Sequence, residues 1–150
     1  MQDLGRIMAL DVGEVRTGVA FSDPLRVIAS PHGVLQADGA GTVIEKIQRL
    51  VKEYEPVRIV AGIPLDREGQ PGPQAQKVMA FVEELRKAVS IEIVMEDERF
   101  TTASAQRMLI SADMRRSKRK QVVDKIAATH ILQTHLEREA SQRARSARTE

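Results

Sequence analysis

Arg6–Ser22 reads RIMALDVGEVRTGVAFS, and this stretch decides the fold. Residues 6–12 form a short, largely apolar run that predicts a strand. Gly13 permits a sharp turn, and Arg16–Ser22 predicts a second strand, so the pair reads as an antiparallel hairpin. Outward from it, a third short strand falls within Val27–Leu35, confined to an edge by Pro31 and Gly33. Thr42–Tyr54 places Val43, Ile44, Ile47, Leu50, Val51 and Tyr54 at helical spacing, and Pro56 closes that helix. Val57–Gly62 is a strand of the buried type, Ile63–Pro73 a loop rich in Pro and Gly, and about Gln74–Ala88 a second helix. Ile91–Met95 is another short strand. Thr101 or Thr102 can cap a third helix through Ser111, because a hydroxyl there satisfies free N–H groups. A fourth helix is expected from about Gln121 to Glu139, with Ala127, His130 and Ile131 on its apolar stripe. Strand–helix–strand–helix–strand from 28 to 95 implies parallel crossovers covering a sheet. The expected class is therefore α/β: a mixed, roughly five-stranded sheet, antiparallel at its N-terminal hairpin, then parallel, flanked by helices.

The chain has 150 residues and 16.7 kDa, near the common size for one hydrophobic core. A single domain is expected over 1–139, and the tail 140–150 (ASQRARSARTE), without an apolar anchor, is expected to be a disordered basic tail. No apolar run approaches the ~18 residues of a membrane span, and the N-terminus lacks a secretory pattern. Cys is absent, which excludes disulfides and thiolate chemistry, and three His leave little for structural zinc. These features predict a soluble, cytoplasmic protein. Charge is unevenly placed: residues 1–114 carry a net −4 and residues 115–150 a net +6. That asymmetry points to an anionic partner, with nucleic acid leading. One Tyr, three Phe and no Trp argue against base stacking as the main device, so contacts should fall mostly on phosphates.

Acidic residues at strand ends and helix starts are the candidates for chemistry. Asp11 ends the first strand, and alternation puts it on the face of Ile7 and Ala9. A carboxylate beside apolar residues is costly without compensation, although an Asp that merely turns the chain before Gly13 is the plain alternative. Glu96, Asp97 and Glu98 end the last strand; a solvated loop with Arg99 as internal partner is the plain alternative there. Asp124 falls near the expected start of the fourth helix, where the dipole alone favours an acid by roughly 0.3–1 kcal/mol. Small Ala127 and Ala128 one turn later would let that turn approach the sheet. Three carboxylates from two strand ends and a helix can converge on one sheet edge. All-oxygen donors then favour Mg²⁺ or Mn²⁺, and two such ions suit phosphodiester hydrolysis. Neither Gly13–Gly18 nor Gly69–Gly72 matches a phosphate-binding loop. MRRSKRK at 114–120 places Arg115, Arg116, Lys118, Arg119 and Lys120 just before Asp124, where they could hold a substrate backbone. His130 and the scattered Met residues read as core.

Four blocks taken together, ALDVGEVRTGVAFSD (9–23), AGIPLDREG (61–69), DERFTT (97–102) and VDKIAATHILQTHL (123–136), resemble the YqgF family, also called RuvX. Its members are described as Holliday junction resolvases and as pre-16S rRNA nucleases. The resemblance implies an RNase H-like three-layer fold. It also implies that Asp11, Glu98 and Asp124 are catalytic ligands of Mg²⁺ or Mn²⁺, with metal-bound water as nucleophile. Arg16, Arg99 and Thr102 match further family positions, as holders of the backbone or of the acids; Gly13 supports the first. The chain departs from the family pattern at Val15, where Lys is frequent, and at Phe100, where Leu is usual. Strand alternation sends Asp97 opposite Glu98.

The resulting expectation is a metal-dependent nuclease of structured nucleic acid, in maturation of the 5′ end of pre-16S rRNA. The rival is a resolvase of branched DNA, acting as a homodimer because resolution needs two symmetric cuts. The expected state of the chain is a monomer or a homodimer. A third reading, from another class, is a non-catalytic ribosome-assembly factor binding RNA through 115–120 and the tail.

Overall fold

A computed structural model describes residues 4–98 and 116–149, the last helix as backbone alone at 116–125 and 148–149. Its elements are β1 (Ile7–Val12), β2 (Arg16–Ser22), β3 (Ala29–Gln36), α1 (Val43–Tyr54), β4 (Arg58–Ile63), α2 (Pro73–Ala88), β5 (Glu92–Asp97) and α3 (Arg116–Thr149). The expected third helix, about 101–111, lies outside the described residues. One five-stranded sheet has the order β3-β2-β1-β4-β5. β1 pairs β2 antiparallel and β4 parallel, β2 pairs β3 antiparallel, and β4 pairs β5 parallel. The hairpin and the parallel half therefore share β1. β3, with Pro31 in it, is the edge expected of a strand that cannot donate at every position.

Each strand sorts its side chains between two layers by alternation. Met8, Leu10 and Val12 of β1 and Ile59 and Ala61 of β4 pack with Ile47, Leu50, Val78, Val82 and Leu85 of α1 and α2. Ile7 and Ala9, with Ala20 and Val60, pack with Ala128, Ile131, Leu132 and Leu136 of α3 on the opposite face. Helices on both faces make three layers. The α3 side is lined by small residues, so that helix lies close to the sheet. The burial of Ile131 and Leu132, both 0% exposed, stabilises the contact by roughly 1.5–3 kcal/mol each.

Local chemistry sets the helix limits. Thr42 caps α1 reciprocally: its hydroxyl accepts from the Glu45 N–H, and the Glu45 carboxylate accepts from the Thr42 N–H. Glu55 ends that helix at φ 51°, ψ 50°, and Pro56 follows. Pro73 occupies the first turn of α2, where its missing N–H costs nothing.

The last helix departs from expectation at both ends. It runs over Arg116–Thr149, so residues 116–120 of the basic run are helical, and so is most of the segment expected as a frayed tail. The reason is intrinsic preference: Ala, Arg, Lys, Gln and Glu are strong helix formers and continue a helix already anchored by Ile131–Leu136. Arg143 adds a bond to Glu139 one turn back, Nη1 to Oε1 at 3.0 Å. Residues 141–147 remain exposed.

Candidate active site at the carboxyl edge of the sheet

Asp11 continues the row of Ile7 and Ala9 on the α3 face, and is 6% exposed. Its neighbour across β2 is Gly18. On the other side, the β1–β4 register pairs Leu10 with Ala61, so the next position on β4 is Gly62. Asp11 thus stands in register between two glycines.

Glu98 follows β5 directly. Its N–H donates to the Ile63 carbonyl at 3.0 Å, which extends the parallel ladder by one step, and it is 4% exposed. A Cβ built on Gly62 would stand 2.4 Å from Ile131 Cδ1 and 3.1 Å from Glu98 Cδ. The Glu98 carboxyl therefore leans over the bare backbone of Gly62, under Ile131 of α3, towards the strand that carries Asp11. Glycine is required there for close approach, not for its dihedral freedom. Gly13 plays the matching part at the hairpin turn: its N–H donates to the Arg16 carbonyl at 2.9 Å, and a Cβ would meet that oxygen at 2.6 Å. Arg16, half-buried, opens β2 on the same face as Gly18, beside the same edge.

The third expected acid sits on α3. That helix runs opposite to β4, with Glu139 bonded to Arg58 at the start of the strand and Ile131 over Gly62 near its end. Positions before Ala128 consequently reach the carboxyl edge. Residue 124 precedes Ala128 by four and Ile131 by seven, on the same stripe, while its side chain lies outside the described residues. Because α3 begins by Arg116, Asp124 is two turns inside the helix and not near its start. The dipole acts within the first turn, so it no longer accounts for an acid at 124. Arg116, Lys118, Arg119 and Lys120 precede Asp124 on α3 as backbone positions, their side chains outside the described residues. Arg99, Thr102 and Arg115 lie outside the described residues.

From the sequence Glu96 counts only as a member of the 96–98 acidic cluster, and neither it nor His135 draws a separate role. Glu96 is 3% exposed and shares the α3 face with Glu98, two residues away. Arg138 Nη1 lies 2.6 Å from its Oε1, a charge contact without hydrogen-bond geometry, and His135 Nδ1 lies 3.3 Å from its Oε2. In the structure the two are one helical turn apart in their effect on the site, with Ile131 over Gly62 and His135 beside Glu96. Asp97 is half-buried, opposite in alternation to both glutamates.

The donor set fits a hard divalent cation, since the two described acids offer only carboxylate oxygens and are drawn from different strands onto one face. Among the described residues no three His, Asp or Glu side chains form a metal-holding group. Among the same residues no helix is long and apolar enough to cross a membrane.

A five-stranded mixed sheet with acids at its carboxyl edge, covered there by the last helix, defines an α/β protein of RNase H-like fold. In fold it is similar to T. thermophilus RuvC in complex with Holliday junction substrate, with a TM-score of 0.55, 11% identity, and 91% of this chain and 96% of that one covered. The family described as "RuvX: Holliday junction resolvase" matches residues 5–138, and the chain belongs to it. Curated relatives named "Putative pre-16S rRNA nuclease" include one from Thermoanaerobacter pseudethanolicus, 47% identical over 133 residues, 88% of this chain and 96% of the relative. Another, from Syntrophomonas wolfei subsp. wolfei, is 43% identical over 132 residues, 88% of this chain and 94% of the relative. Phosphodiester hydrolysis is the activity for which the family and these relatives are named.

Proposed function

We propose that the protein is a divalent-metal-dependent nuclease acting on structured RNA, in maturation of the 5′ end of pre-16S rRNA. The observation that carries the reading is that Asp11 and Glu98, both buried, lie on one face of the sheet on strands either side of the bare Gly62. Asp11, Glu98 and Asp124 would hold two Mg²⁺ or Mn²⁺ ions. Such ions supply an activated water and stabilise the leaving oxygen of the phosphodiester. The protein's own part is to fix the two strand acids against a rigid sheet and to keep water ordered by burial under α3. With ions to activate the water, no side-chain general base is required. Arg16 and the basic first turns of α3 hold the substrate backbone beside the acids. Cations at a helix N-terminus oppose its dipole, so their presence there serves an anionic partner and not the helix.

The test is turnover on precursor ribosomal RNA with Mn²⁺, then with a chelator, for the wild type and Asp11→Asn. Metal-dependent cleavage lost in the variant, with folding and RNA affinity kept, supports the reading. Salt-sensitive binding without turnover would instead mark a non-catalytic RNA-binding factor. The description of the matching family favours branched DNA as a second substrate class. A four-way junction assayed in parallel separates the two, since resolution would need a dimer presenting two sites.

A further inference from the structure

Glu96 is a buried carboxylate that the proposed chemistry does not use, and the residues around it tie two separate parts of the site together. It lies on β5, two residues before Glu98 and on the same face. Its side-chain partners among the described residues come from α3: His135 through Nδ1 at 3.3 Å, and Arg138 through Nη1 at 2.6 Å. The imidazole is held from its other side as well. Arg58 Nη1 lies 3.3 Å from Nε2, and Glu139 Oε2 lies 3.9 Å from the same nitrogen. A guanidinium only donates and an ionised carboxylate only accepts. The contacts therefore fix one tautomer, with Nδ1–H donating to Glu96 and Nε2 accepting from Arg58. One turn before His135, Ile131 rests on Gly62 and the Glu98 carboxyl. A single face of α3 thus presses on Glu98 and clamps Glu96, and the same helix carries Asp124 two turns further towards its N-terminus.

We propose that His135 is a positioning residue for metal binding: through Glu96 it locks β5 to α3 and so sets the spacing between Glu98 on the strand and Asp124 on the helix. The proposal rests on the metal-site reading above. Apolar contact alone is non-directional and leaves the helix freedom to slide. A directed bond between a buried acid and an imidazole removes that freedom, and outer-shell partners of this kind typically change metal affinity or activity 10–100-fold.

Calorimetry with Mn²⁺ on the full chain tests it, with circular dichroism and thermal melting to confirm folding. His135→Leu, which keeps bulk and removes the donor, is expected to weaken Mn²⁺ binding about 10–100-fold. His135→Asn, whose amide nitrogen can stand where Nδ1 stands, is expected to bind within about 3-fold of wild type. Arg138→Gln opens no cavity on its half-exposed side and is expected to weaken binding by a smaller, measurable factor. A merely structural His135 would lower the melting temperature and leave Mn²⁺ affinity untouched in the folded protein. Wild-type affinity in folded His135→Leu overturns the proposal, as does equal loss in the Leu and Asn variants. If His135→Leu fails to fold, unchanged affinity in Arg138→Gln overturns it. A wild type that binds no Mn²⁺, or binds it as well after Asp11→Asn, overturns the metal-site reading itself and this inference with it.

Discussion

Two groups of carboxylates lie between α3 and the sheet, roughly 12 Å apart along the helix at ~1.5 Å per residue from Ile131 to Glu139. At the amino ends of β1 and β4, Glu139 accepts from Arg26, Arg58 and Arg143 at 2.6–3.0 Å, and Arg58 also pairs with Glu92. Arg26 further donates to the Gly5 and Leu4 carbonyls, sewing the N-terminal segment to the network. Signs alternate there, and the group closes on itself. At the carboxyl end, Asp11 and Glu98 have the same sign and share one face around bare glycine backbone. The first group holds layers together. The second brings like charges together at a place built to leave space, an arrangement that gains its reason from a cation. Glu96, between them, is held by His135 and Arg138 of α3.

Exchanging the treatment of the two groups is the sharpest way to break this contrast. Glu98→Gln is expected to lower turnover at least ~10³-fold, since a lost ligand forfeits several kcal/mol of transition-state stabilisation and 1.36 kcal/mol is tenfold. Glu139→Gln is expected to leave turnover within a few fold while lowering stability. Single-turnover kinetics beside melting curves check both. Comparable losses of turnover in the two variants would erase the distinction.

Gly62→Ala asks whether the gap itself matters. The new methyl would displace Ile131 Cδ1 and press on the Glu98 carboxyl. About 1–3 kcal/mol of stability should be lost to overpacking. Turnover should fall on the order of 10²-fold, as expected for a reacting group displaced by about 1 Å. Adding Ile131→Val removes the atom in the closest contact. It should recover part of the melting temperature and little of the turnover, because Glu98 remains displaced. Recovery of both would show that only packing was disturbed.

The Glu139 network carries a pH signature. Burial alone would push the Glu139 carboxyl up; the hydrogen bonds from Arg58, Arg26 and Arg143 together outweigh it and hold the group below its ordinary value of 4.5. A carboxyl lowered in the folded state contributes stability that is present above its unfolded value and is lost as pH falls through the folded one. The wild type should therefore lose melting temperature on the acid side of about pH 4.5, and Glu139→Gln should flatten that limb. Near neutral pH the variant should cost about 1–3 kcal/mol, less than the ~3–5 of a fully buried broken pair, because Arg58 and Arg143 reach solvent. An unchanged acid limb would remove Glu139 as its source.

The frame of this molecule was legible because alternation is a local property. Met8 and Leu10 against Ile7 and Ala9 sorted the two layers in the sequence itself, and Pro31 marked the edge. Asp11 was legible as a strand-end acid for the same reason, whereas Glu98 stood out from the 96–98 cluster only through the family resemblance. What escaped depended on distant partners. Gly62 looks like any glycine after a strand until Ile131 is laid over it. His135 gives no signal in its own neighbourhood, because Glu96 and Arg58 are 39 and 77 residues away. The limits of α3 were misjudged for a different reason. The stripe of apolar residues ends where packing ends, but propensity carries a helix on past that point.

The smallest effect concerns that continuation. Beyond Arg143 the described positions 144–147 of α3 are exposed. Deleting 144–150 keeps Arg143 on Glu139 and removes Arg145, Arg148 and Glu150, a net single positive charge. Stability should change by no more than ~0.5 kcal/mol, as for exposed positions generally. For a chain of this size that is a shift of about 1–2 °C in melting temperature. RNA affinity should weaken slightly, with a salt slope reduced by at most about one phosphate contact's worth, ~0.9. A larger loss of stability would mean that the Glu139 network extends past Arg143. A steeper loss of affinity would place the end of α3 against the substrate, and the charge-balanced end of the molecule would then share in binding.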